Sequence, residues 1–497
     1  MNSGPEKVLI PHRGVVALDI IDSLKSIGLE TVLYHSPEDA NSLPVKLADQ
    51  SHKFISSKLE DSYLDQEAIL EKALELNTRY LHPGYGLLSE NPAFGRLCRE
   101  NRVKLIAPSP ELLELTSDKL SLKKLADRLG IPVLPHTGVI RQEQDWEEAR
   151  VGLEYPLLLK PLRGYGGKGI RVIREERETR QLMPNLLTRL IYKRDGFFLE
   201  KYCPSAHQIE IPFFRDVKGN ILLLPEIESS VQRRFQKIFQ ESPSPNLPPA
   251  LREQMVRQAE TLIREIEYIG LGYIEFILQG DQFYFSEINP SFQINSLIPE
   301  VHLISNFIKK QFAIANHEEL HGVEGTKVLK PAHHIALVSI MAEDPYQDFR
   351  PSSGRVTDFY SYASIRNIFR TSVTTGVEVS PLYSPYIGKL LSFSGRRRTT
   401  LQNLSSCLEN IHIGGIDTNL FFLQNLLADP PLQQGKTTID YLHSTFDFTS
   451  PPPEGDIRIA TALLAAAFHG ENIKNNYKEK LRTMKQPSFI KRILGIS

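Results

Sequence analysis

The chain has 497 residues, 41% hydrophobic and 24% charged, with a formal net charge of −1. This ordinary globular composition suits two to four packed units, and it supplies no overall basic field to attract nucleic acid or an anionic membrane. Its three cysteines, Cys98, Cys203 and Cys407, are scattered without a CxxC pair, which excludes a disulfide framework and fits a reducing compartment.

The first residues run straight into a strand without a signal-peptide core, and the apolar run 459–468 is too short to span a bilayer. A cytoplasmic protein is the expectation. Lys7 to Ile10 reads as a buried strand and Pro11-His12-Arg13-Gly14 as a turn. Ala17, Ile20, Ile21, Leu24 and Ile27 recur at helical spacing before Gly28, and Thr31 to Tyr34 is the next strand. This is a βαβ unit opening an α/β layer. Gly14 stands alone where a dinucleotide turn needs GxGxxG. His82-Pro83-Gly84-Tyr85-Gly86 is a stiff turn after a strand, and Lys104 to Pro108 is another strand and turn.

Ser117 or Asp118 caps a helix expected over 120–129, closed by Gly130 and Pro132. Lys119 sits in its first turn, against the preference for acids at that end; a surface lysine is the commoner reason. Two strands around 157–173 are joined by a loop holding Gly164, Gly166, Gly167 and Gly169 with Arg163 and Lys168. Such a loop can wrap backbone N–H groups around a phosphate, or simply be a flexible hairpin. Lys160, at the strand end, can reach the same anion. There is no GxxxxGK[ST].

Phe197 to Pro204, containing Glu200 and Tyr202, is a strand that ends at a break, and Glu210 lies in an alternating strand. Gln232-Arg233-Arg234-Phe235-Gln236-Lys237 is a dense polar run, either a solvated strand or one lining a site. Two aromatic-rich runs then flank Gly280-Asp281, the signal of a β-hairpin. Glu275 and Glu287 are equidistant from Asp281, so they face each other across the ladder, and Asn289 shares their face. Two such carboxylates repel unless a proton or cation lies between them. Glu, Glu and Asn form a hard-oxygen set suited to Mg²⁺; a hairpin with two solvated acids is the alternative. A helical region over 300–315 follows, then a second sheet reaching 386–390. Pro451-Pro452-Pro453 makes a break before an Ala/Leu-rich helix over 457–468 and a basic tail, 471–497, that is either a docking segment or a frayed helix.

These residues together resemble biotin carboxylase, an ATP-grasp ligase and the ATP-using component of acetyl-CoA and other acyl-CoA carboxylases. The matching stretches are 9–14, 82–91, Ser117-Asp118-Lys119, the 160–171 loop, Glu200-Lys201-Tyr202, 232–237, 275–289 and Ile387-Gly388-Lys389-Leu390. The resemblance runs from about residue 7 to 445 and implies an α/β fold of three parts. These are a Rossmann-like N-terminal domain over 1–117, an ATP-grasp domain over 118–325 with its lid at about 134–205, and a C-terminal mixed barrel or sheet domain over 326–446. A tail follows over 447–497. It implies that Lys119 and Lys160 hold ATP phosphates under a lid of Gly164, Gly166, Gly167 and Gly169. Glu200 and Tyr202 would lie along the adenine, with Gln232 and Gln236 also in the nucleotide site. Glu275, Glu287 and Asn289 would bind Mg²⁺ or Mn²⁺, and Lys237 would sit by the γ-phosphate and bicarbonate. Biotin would arrive on a separate carrier protein, since no Ala-Met-Lys-Met motif is present. Carboxyltransferase subunits would be partners, and a homodimer is the family habit.

The acid-handling half departs from the family pattern. After the metal-site Asn the family has Thr-Arg-x-Gln-Val-Glu-His; here the run is Pro290-Ser291-Phe292-Gln293-Ile294-Asn295-Ser296. Gln293 is kept. The bicarbonate-holding arginine has become Ser291, and the glutamate that takes the bicarbonate proton has become Asn295, an amide without basicity. The motif histidine is Phe235. An arginine that stabilises the biotin enolate falls at Ile368, with Arg370 as a nearby stand-in. The expected function is therefore an ATP-dependent ligase of this family with impaired or altered bicarbonate chemistry. A ligase for a different carboxylate and a non-catalytic ATP-binding paralogue docked in a carboxylase complex are the alternatives.

Overall fold

The apolar runs at the N-terminus assemble a parallel sheet. In the computed structural model, which describes residues 6–86, 88–149, 152–163, 167, 169–179, 182, 195–361 and 366–448, β1 (Lys7–Ile10) is followed by helix α1 (Gly14–Ser26), β2 (Glu30–His35), β3 (Gln50–Lys53), β4 (Tyr80–Leu81) and β5 (Lys104–Leu105). The order is β3-β2-β1-β4-β5, with every pairing parallel. Ile20, Ile21 and Leu24 of α1 are fully buried in one cluster with Val8 and Ile10. Gly84 has a positive φ, and a Cβ there would lie 2.3 Å from the His12 ring. Only glycine lets the loop after β4 close onto that imidazole, whose Nε2 lies 2.9 Å from the Tyr85 carbonyl oxygen.

A small antiparallel sheet follows, with β6 (Leu157–Pro161) between β7 (Arg171–Ile173) and β8 (Phe197–Lys201). Trp146, Leu157, Leu159, Ile173, Phe197 and Leu199 form its core.

The largest sheet has ten strands. Its first members are β9 (His207–Arg215), β10 (Ile221–Leu223), β11 (Ile227–Arg233), β12 (Gln236–Ser242), β13 (Gly270–Gln279) and β14 (Gln282–Asn289), in the spatial order β14-β13-β9-β11-β12, with β10 against β9. The helix Pro249–Glu265 buries Met255, Ala259, Leu262 and Ile263 in the same cluster as Ile209, Ile211 and Phe213. Three strands beyond residue 330 join this sheet rather than the separate second sheet expected from the sequence, and the remaining short strands there form two-stranded pairs of their own. His334–Met341 pairs antiparallel with β12, from Phe239↔Val338 to Ser242↔Ile335, and Tyr386–Ser394 and Asn367–Thr371 extend the same sheet. The β11–β12 hairpin leaves one side of β12 unpaired, and a strand about ninety residues later fills it; local periodicity carries no trace of such a pairing. Among the described residues no helix is long and apolar enough to cross a membrane. The chain divides into two units, Met1–Phe446 and Asp447–Ser497. The Pro-rich break, the Ala/Leu helix and the basic tail lie outside the described residues.

Candidate functional site

The β13–β14 hairpin turns where Gly280-Asp281 predicts, and Glu275 pairs directly with Glu287. Asn289 Nδ2 donates to Glu275 Oε1 at 2.9 Å. Lys237, near the start of β12, reaches both Glu275 (2.8 Å) and Glu210 of β9 (2.7 Å). Gln208 donates to the other Glu275 oxygen at 2.5 Å and accepts from Gln232 at 2.5 Å. Lys119 lies 3.4 Å from Glu287. Gln236 opens β12 opposite Arg233.

Burial and the neighbouring Glu287 and Glu210 carboxylates push Glu275 up to about 7 against the pull of Lys237. Burial opposes ionisation of Glu287 too, yet Lys119, Lys160 and Lys237 outweigh it and hold that group below the usual carboxylate range. Lys237 is raised: burial would lower it, but Glu210 and Glu275 prevail. The two carboxylates face each other across the ladder, with Lys237 2.8 Å from Glu275 and Lys119 3.4 Å from Glu287. The donor set therefore fits a divalent cation with a preference for oxygen: two carboxylates, plus the Asn289 carbonyl oxygen once its amide turns.

A second cluster adjoins it. Glu200 of β8 is buried between Lys160, 2.7 Å away, and Lys123, with which it also forms an ion pair. Burial would raise its pKa, but the two ammonium groups hold it at about 2. Lys160 is raised, Glu200 overcoming the cost of burial, whereas for Lys123 burial prevails and the shift is downward. Glu200 thus spends its side chain on orienting the two lysines. Lys123 was missed in the sequence. The available signal was its place one turn after Lys119 on the same helix, Lys119–Arg128, which Asp118 caps through the Ser121 N–H at 3.1 Å. Tyr202 is buried and donates to Asp440 Oδ1 at 3.3 Å.

The polar run 232–237 is neither a solvated strand nor a continuous one. It is the tip of the β11–β12 hairpin, with Arg234 and Phe235 both at positive φ. Gly167 rests on it: a Cβ there would meet Phe235 Cβ at 2.7 Å. The glycine loop therefore touches this tip at Gly167; Gly169 follows with positive φ, and Gly164 and Gly166 lie outside the described residues.

Of the residues at 291, 293 and 295, Asn295 is linked to Lys237 through Glu210. Ser291 Oγ donates to Glu90 Oε1 at 2.7 Å, and Gln293 Nε2 donates to Ser291 Oγ at 3.0 Å. Asn295 is buried and donates to Glu210 Oε2 at 3.1 Å. Lys389 donates to the Ile294 carbonyl at 2.9 Å and pairs with Asp19 of α1 at 2.6 Å, tying this segment to α1. Ile368 is packed against the hydrophobic core, opposite Leu391. Arg370, the nearby stand-in, has its guanidinium held by Asp22 (2.7 Å) and Asp19 (3.8 Å) of α1. Glu90 and Lys389 lie within the family-matching stretches 82–91 and 387–390, but nothing local marks their contacts.

Three family models match successive parts of the chain: "Biotin carboxylase, N-terminal domain" over 5–113, "Carbamoyl-phosphate synthase L chain, ATP binding domain" over 118–323, and "Biotin carboxylase C-terminal domain" over 338–444. Biotin carboxylase of a Nostoc species is 32% identical over 441 residues, covering 88% of this chain and 98% of the relative. The chain belongs to the biotin carboxylase family. The 2-oxoglutarate carboxylase small subunit of Hydrogenobacter thermophilus is 30% identical, covering 94% of this chain and 99% of the relative. A crystal structure of the biotin carboxylase domain dimer of that carboxylase, in complex with MgADP, ADP and bicarbonate, superposes with a TM-score of 0.84 at 30% identity, covering 90% of this chain and all of that one. Biotin carboxylase from Campylobacter jejuni, in a β,γ-ATP complex, gives 0.82 at 28% identity, covering 88% and 98%. The biotin carboxylase fold, with its ATP-grasp ligase centre, is therefore the fold of this chain.

Proposed function

We propose that this chain is the ATP-using subunit of an acyl-CoA-type carboxylase, with a nucleotide-and-cation site that is complete and an acid site that is altered. The observation that carries this is the convergence of Lys119, Lys160, Lys237, Glu275, Glu287 and Asn289, while a serine and an amide stand at 291 and 295. The MgADP and bicarbonate in the Hydrogenobacter relative support the ligand assignment. On this reading Lys119 and Lys160 hold the ATP phosphates beneath Gly164, Gly166, Gly167 and Gly169. Glu200, Tyr202, Gln232 and Gln236 line the nucleotide, and Glu275, Glu287 and Asn289 hold Mg²⁺ or Mn²⁺, which screens the phosphate charge. Lys237 and Gln293 orient the acid that attacks the γ-phosphate, beside Ser291 and Asn295.

Biotin on a separate carrier and carboxyltransferase subunits are the proposed partners, with a homodimer in the cytoplasm as the working assembly. The divisions at 117, 325 and 446 stand as its domain boundaries. A positioned general base contributes about 10²–10⁴-fold and an anion-stabilising donor about 10²–10³-fold, and such losses do not multiply. Bicarbonate turnover is therefore expected to be slow, while nucleotide binding is spared.

The test is ADP formation from MgATP with and without bicarbonate and biotin. Slow, bicarbonate-dependent ADP release stimulated by biotin is expected; no dependence on either at any pH rejects the reading. The loss of positive charge at Ser291 favours, as a second reading, a less anionic acid as substrate, which a panel of carboxylic acids in the same assay identifies. MgATP binding with no ADP from any acid leaves a non-catalytic docking subunit.

A further inference from the structure

We propose that Glu90 is the proton acceptor of the acid site, reached through the hydroxyl of Ser291. The proposal rests on the ATP-dependent reading above and names the group that lets the altered site turn over.

Bicarbonate attacks a phosphorus atom more readily once its remaining O–H proton is taken up, and the neighbouring side chains are unequal to that task. Asn295 Oδ1 is buried and has no hydrogen-bond partner among the described residues. It can accept a hydrogen bond from the acid but, as an amide, cannot keep the proton. Lys237 is committed as a cation between Glu210 and Glu275. Glu210 already accepts from Lys237 at 2.7 Å and from Ser229 and Asn295, so both of its oxygens are engaged. Glu275 and Glu287 form the cation pair, and Glu200 is clamped by two lysines.

Glu90 differs from all of these. Its hydrogen bond is to the neutral Ser291 hydroxyl at 2.7 Å. Lys119 and Glu287 act on it with opposite signs, and burial raises its proton affinity above that of an ordinary carboxylate. It is held firmly. Ser89 Oγ donates to the Gly86 carbonyl at 2.7 Å on one side, and Asn91 caps the helix Pro92–Glu100 on the other. The Ser291 oxygen donates to Glu90 and accepts from Gln293 at 3.0 Å, which leaves one lone pair for an incoming acid.

The transfer is a two-hop relay. The acid O–H proton passes to Ser291 Oγ as the Ser291 proton passes to Glu90 Oε1. The freed oxygen pair bonds to the γ-phosphorus, and the P–O bond to the β-phosphate breaks with its electrons leaving on ADP. Glu90 returns its proton to solvent on product release.

The experiment uses the full chain with MgATP and bicarbonate. Glu90→Gln, close to isosteric, is expected to lower bicarbonate-dependent ADP formation by about 100-fold or more, the scale of a lost general base, with MgATP affinity unchanged by calorimetry. Glu90→Ala is expected to regain activity when formate is added. A Glu90→Gln enzyme within about threefold of wild type, or a Glu90→Ala enzyme that binds MgATP yet ignores formate, overturns the proposal alone. A wild-type chain that binds MgATP but never yields ADP with bicarbonate overturns the carboxylase reading and the role of Glu90 with it.

Discussion

Reinstating both lost groups, Ser291→Arg with Asn295→Glu, is expected to raise kcat/KM for bicarbonate by about 10²-fold or more, the scale of one regained base or anion donor. The single substitutions are expected to behave differently. Asn295 lies 3.1 Å from a Glu210 oxygen, so a glutamate there sets two carboxylates against each other and stays protonated without a new cation. Arginine at 291 lands beside Glu90, whose oxygen is 2.7 Å from Ser291 Oγ. Alone, it ties Glu90 into an ion pair and lowers the remaining rate. Together the arginine supplies charge to the crowded acids and the glutamate supplies the base. The signature is strong non-additivity across wild type, two singles and the double, which a double-mutant cycle measures. Because Ser291 is buried, the longer side chain is expected to cost about 1–3 kcal/mol of stability through overpacking. A Ser291→Arg single faster than wild type contradicts this account.

Glu200→Gln is expected to have the largest effect on stability. Lys123 and Lys160 both turn toward this one carboxylate, and Lys123 and Glu200 are almost wholly excluded from solvent. Breaking a buried ion pair typically costs about 3–5 kcal/mol, because the surviving charge has neither water nor partner. Here Lys123 keeps only the Phe285 carbonyl, 3.4 Å away, while Lys160 keeps the attraction of Glu287. Lys123→Met is expected to be milder, since it leaves Glu200 paired with Lys160. Urea unfolding of the three proteins gives the ranking, and equal midpoints for Glu200→Gln and wild type contradict it. The pH dependence has a definite sign. Glu200 is held at about 2, below its unfolded value, so its contribution is complete above the ordinary carboxylate range and fades as pH falls toward 2. In Glu200→Gln that component of acid unfolding is absent.

The parts of this site legible in the sequence are those encoded locally. Gly280-Asp281 and the flanking aromatic runs give the β13–β14 hairpin, and its symmetry places Glu275 opposite Glu287. Asp118, as an N-cap, fixes the helix that carries Lys119. The illegible parts depend on distant contacts or on conformations without a residue signature. The turn at Arg234 and Phe235 has positive φ at both positions with no Gly, Asn or Asp to announce it. Lys123 reads as a solvated helix lysine until Glu200, far along the chain, is brought to it. Glu90 and Ser291 are 201 residues apart. Arg370 is close in sequence to Ile368, but two aspartates of α1 engage it.

The most direct measurement is calorimetric titration of ATP into the purified chain with and without Mg²⁺. Saturable, Mg²⁺-dependent binding that is lost in Glu287→Gln is predicted; no binding in the presence of Mg²⁺, or binding indifferent to the metal, contradicts a complete nucleotide-and-cation pocket.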